Sequence, residues 1–264
     1  MTARSRGTTA ADTVDHSAGG VPVLFLPGII MPAALRYAPL IAALGDSARA
    51  VTKELEVYRA EAPPAGYAIE DEVEGISRAA DAAGFDRFHL YGHSAGGACA
   101  LAYAATRPER VLSLALDEPA SDFSAEDLAM VQTAIDSTSE LPVAEKMTAF
   151  LRSNLAPGVD PPSPPAGPAP PWMASRPKGI DAFRGALLRY RLEPERLRAF
   201  GRPVYYSHGS LSHPRWAAMR ERLAGVFPDF TPELYEGIHH LETSHQREPA
   251  RVAAALRRLW DRAG

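Results

Sequence analysis

Short, continuously apolar runs alternate with segments of helical periodicity along most of this chain. The runs at 21–26, 88–91 and 111–116 contain few polar side chains, which is typical of strands buried on both faces. Between them, residues 69–83 carry apolar side chains at three- and four-residue intervals and end at Gly84, as an amphipathic helix does. This alternation predicts an α/β fold, with a mostly parallel, doubly wound sheet and helices on both faces.

The alternation is interrupted between residues 120 and 201. Three short apolar patterns there predict helices, and eight of the 24 prolines lie within 157–171, where they exclude helix and central strand. Because the apolar faces of these helices need a larger body to pack against, we predict a helical insertion at 120–201 rather than a domain that folds alone. The core then comprises residues 21–119 and 202–264.

The strand and helix pattern resumes after the insertion. Residues 204–206 predict a short strand, 216–224 a helix and 230–235 another strand. Pro232 places this last strand near an edge of the sheet, because proline cannot donate to a central ladder. A final helix begins at Pro249.

Two segments near the start of the core have weaker patterns. Residues 37–44 predict a helix, and residues 50–57 predict a strand although Lys53 and Glu54 interrupt its apolar run. A loop marked by proline and glycine follows at 61–66.

Composition limits the partners and the location. Hydrophobic residues make up 46% of the chain, enough for a sizeable core, and the net charge of -4 provides no basic surface for nucleic acid or acidic membranes. The single cysteine, Cys99, excludes an intramolecular disulfide, and no apolar run is long enough to cross a membrane. Residues 1–20 lack a continuous apolar stretch, so we expect a disordered tail rather than a secretory signal. Together these features predict a cytoplasmic protein.

The most specific chemical pattern is Gly-x-Ser-x-Gly at residues 92–96, with an apolar run before it and small residues after it. This context predicts a strand, a sharp turn and a helix, with Ser94 in a strained conformation at the turn. Gly92 and Gly96 fit because side chains there would collide with neighbouring backbone. We therefore predict Ser94 as a nucleophile; an ordinary serine in a tight turn is the alternative.

Two segments resemble the α/β-hydrolase superfamily, in particular its serine-nucleophile members that carry a cap. One runs from Tyr67 through the turn to Pro119, and the other, 236–241, is similar to that family's catalytic-histidine loop and leads to the helix at Pro249. The resemblance covers about 21–259, with the insertion where the family has its cap. It implies a triad in the chain order serine, acid, histidine, and no metal or organic cofactor.

Three histidines late in the chain qualify by position as the base. They are His239, His240 and His245. Similar family members place the catalytic histidine directly before an apolar residue, here Leu241, so we predict His240, with His239 as the alternative. We expect His245 to lie behind the site or at the surface. A metal site is disfavoured because no cysteine or carboxylate set completes it.

The acid is not in its usual place. Most family members carry it after the penultimate strand, but that loop, 207–216, contains neither aspartate nor glutamate. Some members, haloalkane dehalogenases among them, place the acid after the preceding strand, and the resemblance then implies Glu118. Asp117 should point to the other side of the strand. A solvated loop carboxylate, or a group that orients a ligand, is the alternative for Glu118.

The remaining predicted residues surround the reacting centre. By resemblance, the backbone N–H groups of Ile29 and Ala95 form the oxyanion hole. Five side chains are candidates for the substrate pocket, with packing or a surface position as the alternative for each: His93, His208, His213, Trp172 and Phe183.

These residues favour a serine hydrolase that cleaves an ester or related acyl bond of a small molecule through an acyl-enzyme on Ser94. Another chemistry on the same site, that of a lyase or a cofactor-free perhydrolase, is the first alternative, because this fold hosts many reactions. A non-catalytic binding protein is the second, motivated by the missing acid in 207–216.

Overall fold

One sheet of seven strands organises the molecule. The computed structural model describes residues 13–14, 19–163 and 166–264. The strands are β1 Thr13–Val14, β2 Val21–Leu26, β3 Ala48–Thr52, β4 Phe88–His93, β5 Val111–Asp117, β6 Val204–Gly209 and β7 Phe230–Tyr235. Their order across the sheet is β1-β3-β2-β4-β5-β6-β7, and every pair is parallel except β1 with β3. The predicted α/β fold with a mostly parallel sheet is confirmed.

Helices fill the connections between the strands. Within the described residues they are α1 Ala33–Leu44, α2 Ile69–Ala82, α3 Ala95–Thr106, α4 Ala125–Asp136, α5 Val143–Arg152, α6 Arg176–Arg189, α7 Pro194–Arg198, α8 Arg215–Ala224, α9 Ser244–Arg247 and α10 Pro249–Ala263. Helices α4 to α7 lie between β5 and β6, in the segment where we predicted the insertion. The role of this segment as a cap stays a prediction.

The core lies on both faces of the sheet because the central strands are apolar on both sides. Along β2, Leu24 and Leu26 belong to one apolar cluster, whereas Val23 and Phe25 belong to the other. This division follows from the two-residue period of a strand. Helices α2, α3 and α8 pack on the first face, and α1 and α10 pack on the second.

Two of the weaker predicted boundaries are wrong. The strand predicted at 50–57 ends at Thr52, and α1 begins at Ala33 rather than at residue 37. The Glu54 side chain accepts a hydrogen bond from Ala33 N at 3.3 Å, so this carboxylate sits at the positive end of α1. Lys53 follows the strand and is fully buried, and its ammonium group meets Glu72 at 3.2 Å.

Three further predictions concern the sheet edge, the chain segments around 1–20 and 157–171, and membrane spans. Pro232 is on the edge strand β7, as expected. Residues 1–12 and 15–18 of the predicted tail, and 164–165 of the proline-rich segment, lie outside the described residues. Over the part of the chain that is described, none of the helices combines the length and the apolar character needed to span a membrane.

Candidate active site

Ser94 occupies the sharp turn between β4 and α3. Its backbone has φ 51° and ψ -117°, a left-handed conformation that non-glycine residues rarely adopt. A Cβ atom on Gly92 would lie 2.4 Å from Gly96 O, and one on Gly96 would lie 2.4 Å from Leu26 O. Both contacts are with backbone, so glycine at 92 lets the start of α3 pack against the end of β4, and glycine at 96 lets the turn approach β2.

Replacing Gly96 with alanine should therefore destabilise the protein. The added methyl group must displace the backbone of β2, and overpacking of this kind costs about 1–3 kcal/mol. Urea denaturation measures the free energy of unfolding. Gly201→Ala is the matched control, because a Cβ atom there meets open space. Equal stability of the two variants would contradict the close approach of the turn to β2.

Ser94, His240 and Glu118 form a continuous hydrogen-bonded chain. His240 Nε2 lies 2.9 Å from Ser94 Oγ, and His240 Nδ1 lies 2.7 Å from Glu118 Oε2. The second carboxylate oxygen of Glu118 accepts a hydrogen bond from Gly209 N at 2.7 Å. All three side chains are buried. The arrangement has the geometry of a nucleophile, a base and an orienting acid.

The two carboxylates at the end of β5 serve different partners. Glu118 has φ 47°, a second left-handed conformation beside that of Ser94, and its carboxylate meets His240. Asp117 points to the other side, as expected from strand alternation, and its Oδ2 meets His245 Nδ1 at 2.7 Å. Backbone strain of this kind persists only where the surroundings over-determine it, and it recurs at functional sites.

The other two late histidines do not contact Ser94. His245 is fully buried against Asp117, and its Nδ1 also lies 3.2 Å from Tyr91 OH. It therefore lies behind the site and not at the surface, the two positions that we considered for it. His239 is half-buried, and its Nδ1 accepts a hydrogen bond from Glu242 N at 3.2 Å. Of the three candidates, only His240 therefore reaches the serine.

Burial disfavours both charged forms of the His240–Glu118 pair. It raises the pKa of Glu118, with Asp117 acting in the same direction and the Gly209 N–H against it. It lowers the pKa of His240, and the positive charge of Arg215 lowers it further. Because the two groups share one short contact, they titrate as a unit. The form that can accept a proton at Nε2 has a neutral imidazole and an ionised carboxylate.

Comparison with known proteins places the chain in a family. The family model of the alpha/beta hydrolase fold matches residues 22–218. The chain belongs to this family. A search of curated protein sequences found no match.

Several solved structures have the same architecture as this α/β hydrolase, although their sequences are less than 20% identical to it. Naproxen esterase from Bacillus subtilis is 18% identical, with 94% of this chain and 86% of that one covered and a TM-score of 0.62. A carboxylesterase from Nitrososphaera gargenis is 18% identical over 96% and 93%, with a TM-score of 0.69. A thermophilic esterase from Thermogutta terrifontis is 16% identical over 96% and 93%, with a TM-score of 0.71. These similarities establish the fold.

The loop after β2 approaches the turn at Ser94, on the side where we predict the oxyanion hole. Gly96 N donates to Pro27 O at 2.9 Å, which attaches this loop to the start of α3. A Cβ atom on Gly28 would lie 2.7 Å from His93 Nδ1, so glycine permits the approach. Ala95 is the first residue of α3, where a backbone N–H has no acceptor within the helix. Ile29 and Ala95 line the same cavity as Ser94.

A cavity of about 150 Å³ opens beside Ser94, between the sheet and helices α4, α5 and α6. Its walls include Phe183 and His213, two of the predicted pocket residues. The other three do not line it. His93 is buried behind Ser94, with its ring 5.0 Å from that of His240, and His208 is buried beside Tyr206. Trp172 lies near Arg176, away from the cavity.

Sequence reasoning missed the side chains that support the histidine. The Trp216 ring stacks on His240 with ring centroids 4.1 Å apart, and its Nε1 donates to Pro119 O at 3.0 Å. The Arg215 guanidinium lies 4.2 Å from the centroid of the same tryptophan. Both residues lie at the start of α8, at the end of the segment 207–216 that lacks an acid, and no local pattern marks them. Among the described residues, no group of histidine, cysteine or carboxylate side chains could hold a metal ion.

Proposed function

We propose that this protein is a serine hydrolase that cleaves a carboxylic ester of a small molecule through an acyl-enzyme on Ser94. The observation that carries the proposal is the buried chain from Ser94 Oγ through His240 to Glu118, at 2.9 and 2.7 Å, next to a cavity that Ser94 lines. A serine hydroxyl is nearly inert at neutral pH, and a hydrogen-bonded imidazole is the group that activates it.

The reaction follows from the contacts of these three side chains. Ser94 Oγ attacks the ester carbon while its proton passes to His240 Nε2, and Glu118 stabilises the imidazolium that forms. The negative charge on the carbonyl oxygen is stabilised by the N–H groups of Ile29 and Ala95. His240 then returns the proton to the departing alcohol. A water molecule repeats the sequence on the acyl-enzyme and releases the acid.

The hydrogen bond between Glu118 and His240 supports an enzyme over a binding protein. The binding hypothesis was motivated by the lack of an acid in 207–216, and Glu118 reaches the histidine from the end of β5 instead. A protein that only binds has no need for a base on its serine. We retain a small-molecule substrate, a helical cap over the site and a cytoplasmic location as parts of the proposal, the last on composition alone.

Labelling with a fluorophosphonate tests the activated serine directly. We expect a covalent adduct that peptide mass spectrometry maps to Ser94, together with release of alcohol from short para-nitrophenyl esters. Protein denatured before labelling is the control, because it keeps every serine but loses the contact with His240. Absence of an adduct at Ser94 in the folded protein would overturn the proposed function.

The pH dependence of the reaction should respond to Arg215. Burial is the largest influence on the pKa of both Glu118 and His240, and the guanidinium lowers both pKa values. Since the active form is the deprotonated one, Arg215→Leu should raise the apparent pKa and move the acid limb of kcat/KM to higher pH. Steady-state kinetics across the acid range measures this. Arg196→Leu, which removes an exposed arginine, should leave the limb in place.

A further inference from the structure

The cavity beside Ser94 is apolar except for a few polar side chains, and two of these are arginines. Ile29, Val131, Phe150, Phe183 and Leu187 form apolar walls, whereas Arg184 and Arg215 contribute positive charge. No aspartate or glutamate is among the described residues that line it. Two cations without an anion in an apolar cavity are costly to desolvate, so their presence calls for a compensating ligand or partner.

Arg215 is held by neutral groups rather than by a carboxylate. Its guanidinium packs on the Trp216 ring, and Nη2 donates to Asn154 Oδ1 at 3.0 Å. Its Nε is buried without a hydrogen-bond partner, and no described carboxylate approaches within ion-pair distance. A guanidinium fixed through its face keeps donors along its edge for a planar anion.

Arg184 has a similar arrangement on α6. Its guanidinium lies 5.0 Å from the centroid of the Phe150 ring, and it forms neither a hydrogen bond nor an ion pair with any described residue. The side chain also lines a second cavity, of about 70 Å³, which shares Phe150 and Ile180 with the first. Arg184 therefore stands at the boundary between the two cavities, and Asp181 lines the second of them.

The nearest acidic groups do not replace a ligand. Asp127 and Glu118 act on Arg215 through space, and Asp181 acts on Arg184, but none of them forms an ion pair with either arginine. Glu118 is already engaged by His240 and Gly209 N. Asp127 is buried, and burial raises its pKa, which weakens it as a counter-charge.

We infer that the natural substrate is an ester that carries a carboxylate group on its acyl or alcohol part, and that Arg184 and Arg215 bind this carboxylate. The inference rests on the proposed function, because it assigns the substrate class of the same site. In this apolar cavity a charge-assisted hydrogen bond to a guanidinium is stronger than at the surface. A neutral ester of the same shape leaves both arginines without a counter-charge.

The test compares esters of the same shape that differ in charge. One pair is para-nitrophenyl monoglutarate and para-nitrophenyl 5-methylhexanoate, and the other is meta-carboxyphenyl butyrate and meta-isopropylphenyl butyrate. The readout is the ratio of kcat/KM for the anionic ester to that for the neutral one, taken on the plateau of the pH profile. On at least one pair, Arg184→Gln and Arg215→Gln should each lower this ratio at least about tenfold.

A ratio that stays the same in both variants and on both pairs would overturn the inference, even if the wild-type protein hydrolyses the neutral esters. Arg196→Gln, outside the cavity, is the control and should leave the ratio unchanged. Because each ratio is compared between variants, the differing reactivity of the esters cancels.

A binding measurement separates failure of this inference from failure of the proposed function. Calorimetry on Ser94→Ala with monomethyl glutarate should detect binding that is weakened at least about tenfold by an added Arg184→Gln change. If no fluorophosphonate adduct forms at Ser94 but this binding is present, the hydrolase proposal fails and the carboxylate site stands. If the adduct forms but no binding is measurable, the carboxylate site fails and the hydrolase proposal stands.

Discussion

Replacing Ser94 with alanine should lower kcat for ester hydrolysis by about 10⁶-fold, because the hydroxyl that carries the acyl group is lost. The hydroxyl is the atom that His240 Nε2 contacts at 2.9 Å, and its removal leaves the imidazole without a proton to accept. Residual rate should come only from binding and the oxyanion donors. Steady-state assays with para-nitrophenyl esters, together with loss of the fluorophosphonate adduct, measure the effect.

Ser153→Ala is the matched control for this experiment. Ser153 lines the same cavity, but its hydroxyl donates to Phe150 O at 2.9 Å and forms no hydrogen bond with a described histidine. We expect this variant to keep its activity within a small factor. Near-normal turnover by Ser94→Ala, with the protein shown to be folded, would refute an acyl-enzyme on that residue.

Glu118→Gln should lower kcat by about 10⁴-fold, as is typical when the acid of a triad loses its charge. The amide can preserve the hydrogen bond from Gly209 N, but an NH₂ group facing His240 Nδ1 favours the tautomer that carries its proton on Nε2. That tautomer cannot accept the proton of Ser94. The expected signature is a large fall in kcat with an unchanged unfolding midpoint.

Asp117→Asn is the control for Glu118→Gln, since it neutralises an adjacent buried carboxylate. Asp117 binds His245 and Ser244 on the other side of β5, without contacting His240. We expect its effect on kcat to be far smaller than that of Glu118→Gln. If the two variants lose activity equally, the role of Glu118 as the triad acid is wrong.

The parts of the fold that could be predicted are those specified by local patterns. Strand β2 is a continuous apolar run, and its predicted and observed bounds coincide at residues 21–26. Helix α2 has one apolar face and ends before Gly84, whose φ of 69° only glycine adopts easily. The burial of Lys53 after β3 could not be predicted, because its partner Glu72 stands nineteen positions away on α2.

Some residues of the candidate site could likewise be predicted from local patterns, and others could not. The turn at Ser94 is visible in the sequence because two glycines, a strand and a helix must stand beside it. The resemblance to α/β hydrolases then favoured His240 and Glu118 at positions that the structure brings together. No such pattern predicted that Trp216 stacks on His240 or that Arg184 lines the cavity.

By itself, then, the sequence determined the class of fold, the position of the strained turn and its serine, because each depends on residues close together along the chain. The tertiary structure decided which of three histidines meets that serine, which of two neighbouring carboxylates meets the histidine, and that Arg184 and Arg215 line one cavity. Those contacts join segments that are far apart in sequence, and their geometry depends on how the strand ends and helices pack around one cavity.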